Sequence, residues 1–345
     1  MMNYEDFKNY VKEHILGELP DTYSEFEVSI NKTFKNNGLE LDGLCIRGHD
    51  SIAPVIYLNG YYEQYNEGTS LESVMSDISE QYKEHVEHRG ISSDIVKEIS
   101  NIETARDKIF AKIVNTKNNK QLLENRPHTE FEDLSITYHI MVSRDASGIA
   151  SAPITDAIAN GLGVTAEELD AIARENMAKN NPMYFVDMQE MMMDLILPDI
   201  MDQGMSKEEA REMFADMFPE SEARMYVLSN ATKVNGAIWM TDPDALEMIS
   251  EKVGGDFFIL PSSVHEVIIV PNQGYSELEL QDMVMSVNQG EVRPEDRLSD
   301  NVYAYDSKEH KLSLATHDRS LDKSKSQEMK MVVDEKKAAI SGKLH

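Results

Sequence analysis

The chain has 345 residues, a single cysteine and a net charge of −29, with 62 acidic residues against 33 lysines and arginines. A field of that sign repels phosphate backbones and anionic lipid, which disfavours direct nucleic-acid and membrane-surface binding and favours cationic partners, although the plainer consequence of acidic charge is solubility. Cys45 has no partner for an internal disulfide, and neither a hydrophobic leader nor an apolar run of about 20 residues is present, so a reducing cytoplasm is the expected compartment.

The length exceeds one average domain, and two subdomains are expected. Phe7, Val11 and Ile15 fall on one helical face that Pro20 ends. Phe26, Val28 and Ile30 then alternate with polar residues up to Asn37-Gly38, a pair that tolerates the positive φ angles of a tight hairpin, and Leu39 to Ile46 return. A third strand is expected over Ala53 to Leu58. Thr69 and Glu72 read as a capping box for a helix through Tyr82, and Ile95, Ile99, Ile102, Ile109 and Ile113 as a second helical stripe. The polar stretch Asn115–Asn119 precedes a boundary, which makes residues 1–125 an N-terminal hairpin-plus-helices unit.

A larger α+β unit is expected over 126–316. Leu134, Ile136, Tyr138, Ile140 and Val142 alternate with Ser135, Thr137, His139 and Met141, the pattern of a half-buried strand that Gly148–Ile154 can pair with. Thr165 and Glu168 cap a helix carrying Leu169, Ile172, Ala173 and Met177. Residues 187–222 hold eleven acids against Lys207 and Arg211, with eight methionines, a composition that fills irregular core gaps more often than it makes adaptable binding surfaces. Arg224–Ser229 reads as a strand, Asp242-Pro243 as a helix start that Gly254 stops, Ser276 and Glu279 as another cap, and Val302–Tyr305 with Leu312–Leu314 as a last hairpin. The lysine-bearing tail 317–345 lacks apolar pattern and is expected to be mobile.

The chain is organised around Phe257–Pro271, two apolar runs joined by Pro261-Ser262-Ser263. These runs predict a central hairpin whose second strand alternates from Val264. Ser262, Ser263, His265 and Glu266 are the densest group of reactive side chains, and with His128 they form the candidate binding surface. As strand neighbours, His265 and Glu266 are expected to point to opposite faces. His128 would reach His265 if their strands paired, and Glu266 or Asp133 would then make up a divalent-metal set in number, without a spacing rule behind it. Serines after a strand-ending proline more often stabilise a turn than act as nucleophiles. No nucleotide fingerprint, zinc-protease helix, nucleophile elbow or calcium loop is present, and no catalytic residue, metal ligand or cofactor is assigned.

Several short motifs recur in order: Lys35-Asn36-Asn37-Gly38, Leu41-Asp42-Gly43-Leu44, Pro54–Leu58, Pro127-His128, Asp133-Leu134, Glu175-Asn176, Tyr226–Asn230, Gly236-Ala237, Leu260–Glu266 and Leu298–Tyr303. This set resembles the bacterial domain of unknown function 5688 family. The resemblance implies a cytoplasmic bacterial protein and no established activity, and it draws attention to the Pro-Ser-Ser-Val-His-Glu segment.

These features predict an α+β fold of mixed, mostly antiparallel sheets with covering helices. They favour a non-catalytic interaction module whose acidic surface binds a protein with a basic surface. A small hydrolase or metal-dependent enzyme centred on His265, and an acidic mimic of nucleic acid, are the alternatives. The sequence leaves the oligomeric state unassigned.

Overall fold

Asn3 opens the first helix, Tyr4–His14, by accepting the Asp6 N–H at 3.0 Å, and the helix buries Phe7 and Val11. Strands β1 (Glu27–Phe34), β2 (Glu40–Arg47) and β3 (Val55–Tyr57) form an antiparallel sheet, and helices Asn59–Asn66 and Leu71–Arg89 follow. Leu44, Ile46, Ile56, Val74, Ile78 and Tyr82 join Phe7 and Val11 in a core separate from the rest. The computed structural model describes residues 2–48, 54–89, 99–145, 148–202, 206, 208–209 and 224–317. The expected tail after His317 and most of the acidic segment after Asp202 lie outside them.

The β1–β2 hairpin turns at Asn37 and Gly38, with φ of 59° and 70°, the left-handed values that its Asn-Gly pair predicts. Asn37 also clamps this tip to the C-terminal half. Its side-chain amide donates to the carbonyls of Pro294 and Arg297 at 2.8 and 2.7 Å, and its N–H donates to Asn119 Oδ1 at 2.9 Å. Glycine at position 37 would keep the turn and lose the side-chain bonds, among them the one that Asn37 Oδ1 accepts from Asn119 Nδ2 at 3.2 Å.

Strands β4 (Ile109–Asn115), β5 (His128–Phe131), β6 (Leu134–Asp145) and β7 (Gly148–Pro153) form the second sheet, in which β6 pairs with the other three. The helical stripe expected through Ile113 does not form there, because Ile109, Ala111 and Ile113 are spaced two apart and lie against Ile140, Tyr138 and Ile136 of β6. A periodic apolar run suits either element until a partner decides, and here β6 decides. Buried residues up to Tyr82 belong to one core and those from Ala105 to another. One face of this sheet packs on helix Ala166–Asn180, whose Thr165–Glu168 capping box forms as expected. The other face carries Lys112, Thr137 and His139 toward the N-terminal unit.

The third sheet runs β13-β12-β10-β11-β9-β8, from β8 (Met183–Asp187), β9 (Tyr226–Asn230), β10 (Phe257–Leu260), β11 (Val267–Pro271), β12 (Tyr303–Asp306) and β13 (Lys311–Leu314). The organising hairpin is central, as expected. Phe257, Ile259, Val267 and Ile269 join the large core shared with the second sheet, and Phe258, Leu260 and Val270 pack on Leu280 and Val284 of helix Glu277–Gly290. All strand pairings are antiparallel, so the fold class is α+β.

Two local expectations change. The hairpin's second strand starts at Val267 rather than Val264, because the preceding backbone groups are bonded elsewhere. Val264 N–H donates to the Asp296 carbonyl at 2.8 Å, and Gly236 N–H donates to the His265 carbonyl at 2.9 Å. His265 and Glu266 therefore lie in a connection, where strand alternation does not place them. The helix caps also differ: Ser70 rather than Thr69 accepts the Ser73 N–H, and Ser276 makes no side-chain cap bond. Among the described residues no helix is long and apolar enough to cross a membrane.

Candidate functional site

The residues singled out in the sequence fall into three places. His265 is a peg in the fold: its Nδ1 accepts the Asn235 N–H and its Nε2 faces the Asp296 carboxylate, both at 3.2 Å. Its carbonyl also accepts from Ser229 Oγ at 2.8 Å, and Ser263 Oγ accepts the His265 N–H at 3.0 Å. Gly236 makes this approach possible, since a Cβ there would sit 2.2 Å from Ser229 Oγ and 2.5 Å from the Asn230 nitrogen. With both ring nitrogens engaged, His265 is not poised as a base. His265→Ala is expected to cost about 1–3 kcal/mol by leaving Asn235 and Asp296 without partners. Urea denaturation measures this, and a change below about 0.5 kcal/mol would show the peg to be dispensable.

Ser262, Ser263 and Glu266 line a second place, a groove of about 610 Å³ edged by Met188, Met225 and Met283. His128 is in neither. It lies on β5 in the second sheet, beside Thr137 in register, with Nδ1 2.8 Å from the Arg126 carbonyl. Strand β5, which carries His128, belongs to a different sheet from β10 and β11, the strands that His265 connects. Among the described residues no three His, Cys, Asp or Glu side chains are arranged to hold a metal.

A further place was not singled out from the sequence. Between the N-terminal sheet and the outer face of the second sheet lies a cavity of about 1040 Å³. Its N-terminal wall is largely aromatic, with Tyr23, Phe26, Phe34, Tyr57 and Tyr82. Its opposite wall carries Lys112, Thr137, His139 and Ser151 from β4, β6 and β7, with Arg126 from the segment before β5, and Lys35 and His85 complete the basic groups. Among the described residues no aspartate or glutamate lines it, in a chain where acids outnumber bases almost two to one.

Sheet register explains the wall. Lys112 pairs with Thr137 and Phe110 with His139, so one pleat face presents these groups together. Thr137 Oγ1 donates to the Lys112 carbonyl at 3.4 Å and therefore accepts from His139 Nε2 at 3.3 Å. Among the described residues the buried His139 Nδ1 has no hydrogen-bond partner. Lys112 Nζ stands 3.5 Å from Ser151 Oγ, and Lys35 Nζ lies over the Tyr57 ring at 4.4 Å.

The electrostatics follow from burial among like charges. Loss of water, with Lys35 and Arg126 nearby, lowers the Lys112 pKa to about 8. Burial lowers the Arg126 pKa as well. Burial, then Lys112 and Arg126, pushes His139 well below its ordinary range, so the imidazole is neutral at pH 7. Among the described residues neither Lys112 nor Arg126 forms an ion pair with a carboxylate. Unpaired cations held in a cleft raise one another's energy, and an entering anion relieves that cost.

The polar half of the alternating strand, Ser135, Thr137, His139 and Met141, was the available signal for this site. A solvent-facing reading fits that pattern equally well, and only the docking of the N-terminal unit turns the face inward. No curated protein and no solved structure matches the chain. A family model matches residues 4–307, nearly the whole chain outside its C-terminal tail, and the chain belongs to that family, the family of unknown function DUF5688.

Proposed function

We propose that this protein is a non-catalytic binding protein of the bacterial cytoplasm that holds a small organic anion in the cavity between its N-terminal sheet and its second sheet. The observation that carries this reading is the charge pattern: Lys35, Lys112 and Arg126 share a lining that holds no carboxylate among the described residues, inside a chain of net charge −29. The volume is at the upper end of small-molecule sites. The aromatic wall offers an apolar surface to the ligand body, and the basic wall meets its charged head.

The supporting experiment is calorimetric titration with phenyllactate and phenyl phosphate, using inorganic phosphate as the bodiless control. Both aromatic anions are expected to bind more tightly than phosphate, and Arg126→Gln is expected to weaken them about tenfold or more, the size of one charged hydrogen bond. Equal, weak responses from wild type and Arg126→Gln would remove the reading.

A second reading, a docking surface for a basic protein, is favoured by the methionine-edged groove. Met283 and Val287 are exposed beside it, and Glu266, Glu291 and Asp296 outnumber Arg293 in its lining. Its occupant would be a basic amphipathic helix. Binding of such a peptide, lost in Met283→Glu while the small anions give no heat, would put this reading first.

A further inference from the structure

We propose that the Lys112 amine forms a reversible imine with a carbonyl compound that bears an anionic group, of the 2-oxo acid type, inside the cation-lined cavity. Resting on the anion-binding reading, this gives the site a ligand class and a chemical step.

The geometry isolates Lys112 as a nucleophile. It sits within β4, fixed by its register with Thr137, so its side chain leaves the sheet at a set point in the cavity wall. The basic neighbours Lys35 and Arg126 and the neutral His139 surround it, and among the described residues no carboxylate is there to hold its ammonium form. A lysine in such company loses its proton more readily than one in water, and the neutral amine is the form that attacks carbonyl carbon. With its pKa near 8, roughly a tenth of Lys112 is neutral at pH 7, against well under a thousandth for an ordinary lysine.

The neighbours supply the rest. Arg126 and Lys35 are placed in the same lining to attract the ligand's carboxylate, leaving its adjacent carbonyl for Lys112. The Nζ lone pair forms the new C–N bond as the carbonyl π electrons move to oxygen. Transfer of a proton from nitrogen to that oxygen gives the neutral carbinolamine. Ser151 Oγ, 3.5 Å from Nζ, stands beside this transfer. Protonation of the carbinolamine hydroxyl then releases water and leaves a protonated imine, with no oxidant or reductant consumed. Addition of water reverses each step.

The test incubates the full chain at pH 7 with phenylpyruvate and sodium cyanoborohydride, which reduces an imine to a stable secondary amine, followed by peptide mass mapping. Lys112 is expected to be labelled at least tenfold faster than the exposed Lys308, and excess phenyllactate, which has a hydroxyl in place of the carbonyl, is expected to protect it. Lys112→Met should remove that label and leave the labelling of Lys308 unchanged. If Lys112 is labelled no faster than Lys308 while phenyllactate still binds by calorimetry, the imine is overturned and the anion-binding reading stands. If neither compound binds and Lys112 shows no preference, both fall.

Discussion

Lys112→Met is expected to make the unliganded protein more stable at pH 7 while weakening its hold on an organic anion. In water a lysine titrates near 10.5, and in the fold Lys112 titrates near 8, because burial, Lys35 and Arg126 all disfavour the ammonium. Between these values the unfolded chain binds more protons than the native one, so stability rises with pH across that window. Below pH 8 the native protein bears the full cost of the confined charge; above about 10.5 both states are neutral and the cost is gone. The thioether side chain of methionine removes this cost at every pH. The gain is about 2 kcal/mol at pH 7, after a discount for water that reaches the cavity, and it should vanish by pH 11. The titratable groups that line the cavity with Lys112 are Lys35, His85, Arg126 and His139; of these His139 is neutral throughout, and Lys35 and Arg126 disfavour the ammonium alongside burial. Urea denaturation of both proteins at pH 7 and pH 10.5 measures the difference. A variant less stable than wild type at pH 7 would show that Lys112 is a structural partner rather than a strained binding group. Stability surrendered at a buried lysine without a carboxylate partner among the described residues is the usual mark of a functional residue.

How much of this was legible depends on which partner decides each segment. The Asn37-Gly38 turn, the Thr165–Glu168 box, the Asp242-Pro243 start and the central hairpin could be read from sequence, because each is fixed by residues close together in the chain. Ile109–Ile113 was not, since apolar spacing over five residues fits a helix or a strand, and β6 is a distant partner. The connection at Val264–Glu266 misled for a similar reason: its backbone is held by Gly236, Ala237 and Asp296, which no local pattern announces. The cavity was the least legible feature of all. Lys112, Arg126 and His139 are unremarkable in sequence, and their meaning arises from two walls that belong to separate cores. The recurring motifs fared better as structure than as chemistry. Asn37, Asn176, Gly236 and His265 all prove to be joints, Asn176 by donating to the carbonyls of Arg106 and Ile109 at 2.7 and 2.8 Å.

The most demanding of these joints is Asp133, and Asp133→Ala is expected to be the costliest single polar substitution considered. Glu132 and Asp133 make the two-residue turn between β5 and β6, with Glu132 at a φ of 54°. From that turn the Asp133 carboxylate reaches the third sheet, where it accepts from Ser299 Oγ at 2.7 Å, from Asn301 Nδ2 at 2.9 Å and from the Tyr303 hydroxyl. Tyr303 is fully buried, and burial beside Asp133 pushes its pKa well above the ordinary value, so its hydroxyl remains a donor. Alanine would strand three donors that have little access to water. A buried donor left unsatisfied costs about 1–3 kcal/mol, and allowing for relaxation the total comes to roughly 3–5 kcal/mol. Asp133→Asn keeps one acceptor oxygen but turns an amide donor toward other donors, and should cost about 1–3 kcal/mol. Tyr303→Phe removes one donor together with its need, and should cost least, about 1 kcal/mol. Urea denaturation of the three variants tests the order. If Tyr303→Phe proved as damaging as Asp133→Ala, the tyrosine hydroxyl rather than the carboxylate would be the centre of the joint. A carboxylate is suited to that position because its two oxygens offer about four lone-pair sites and no competing donor, which lets one short turn bind three residues of the segment that leads into β12.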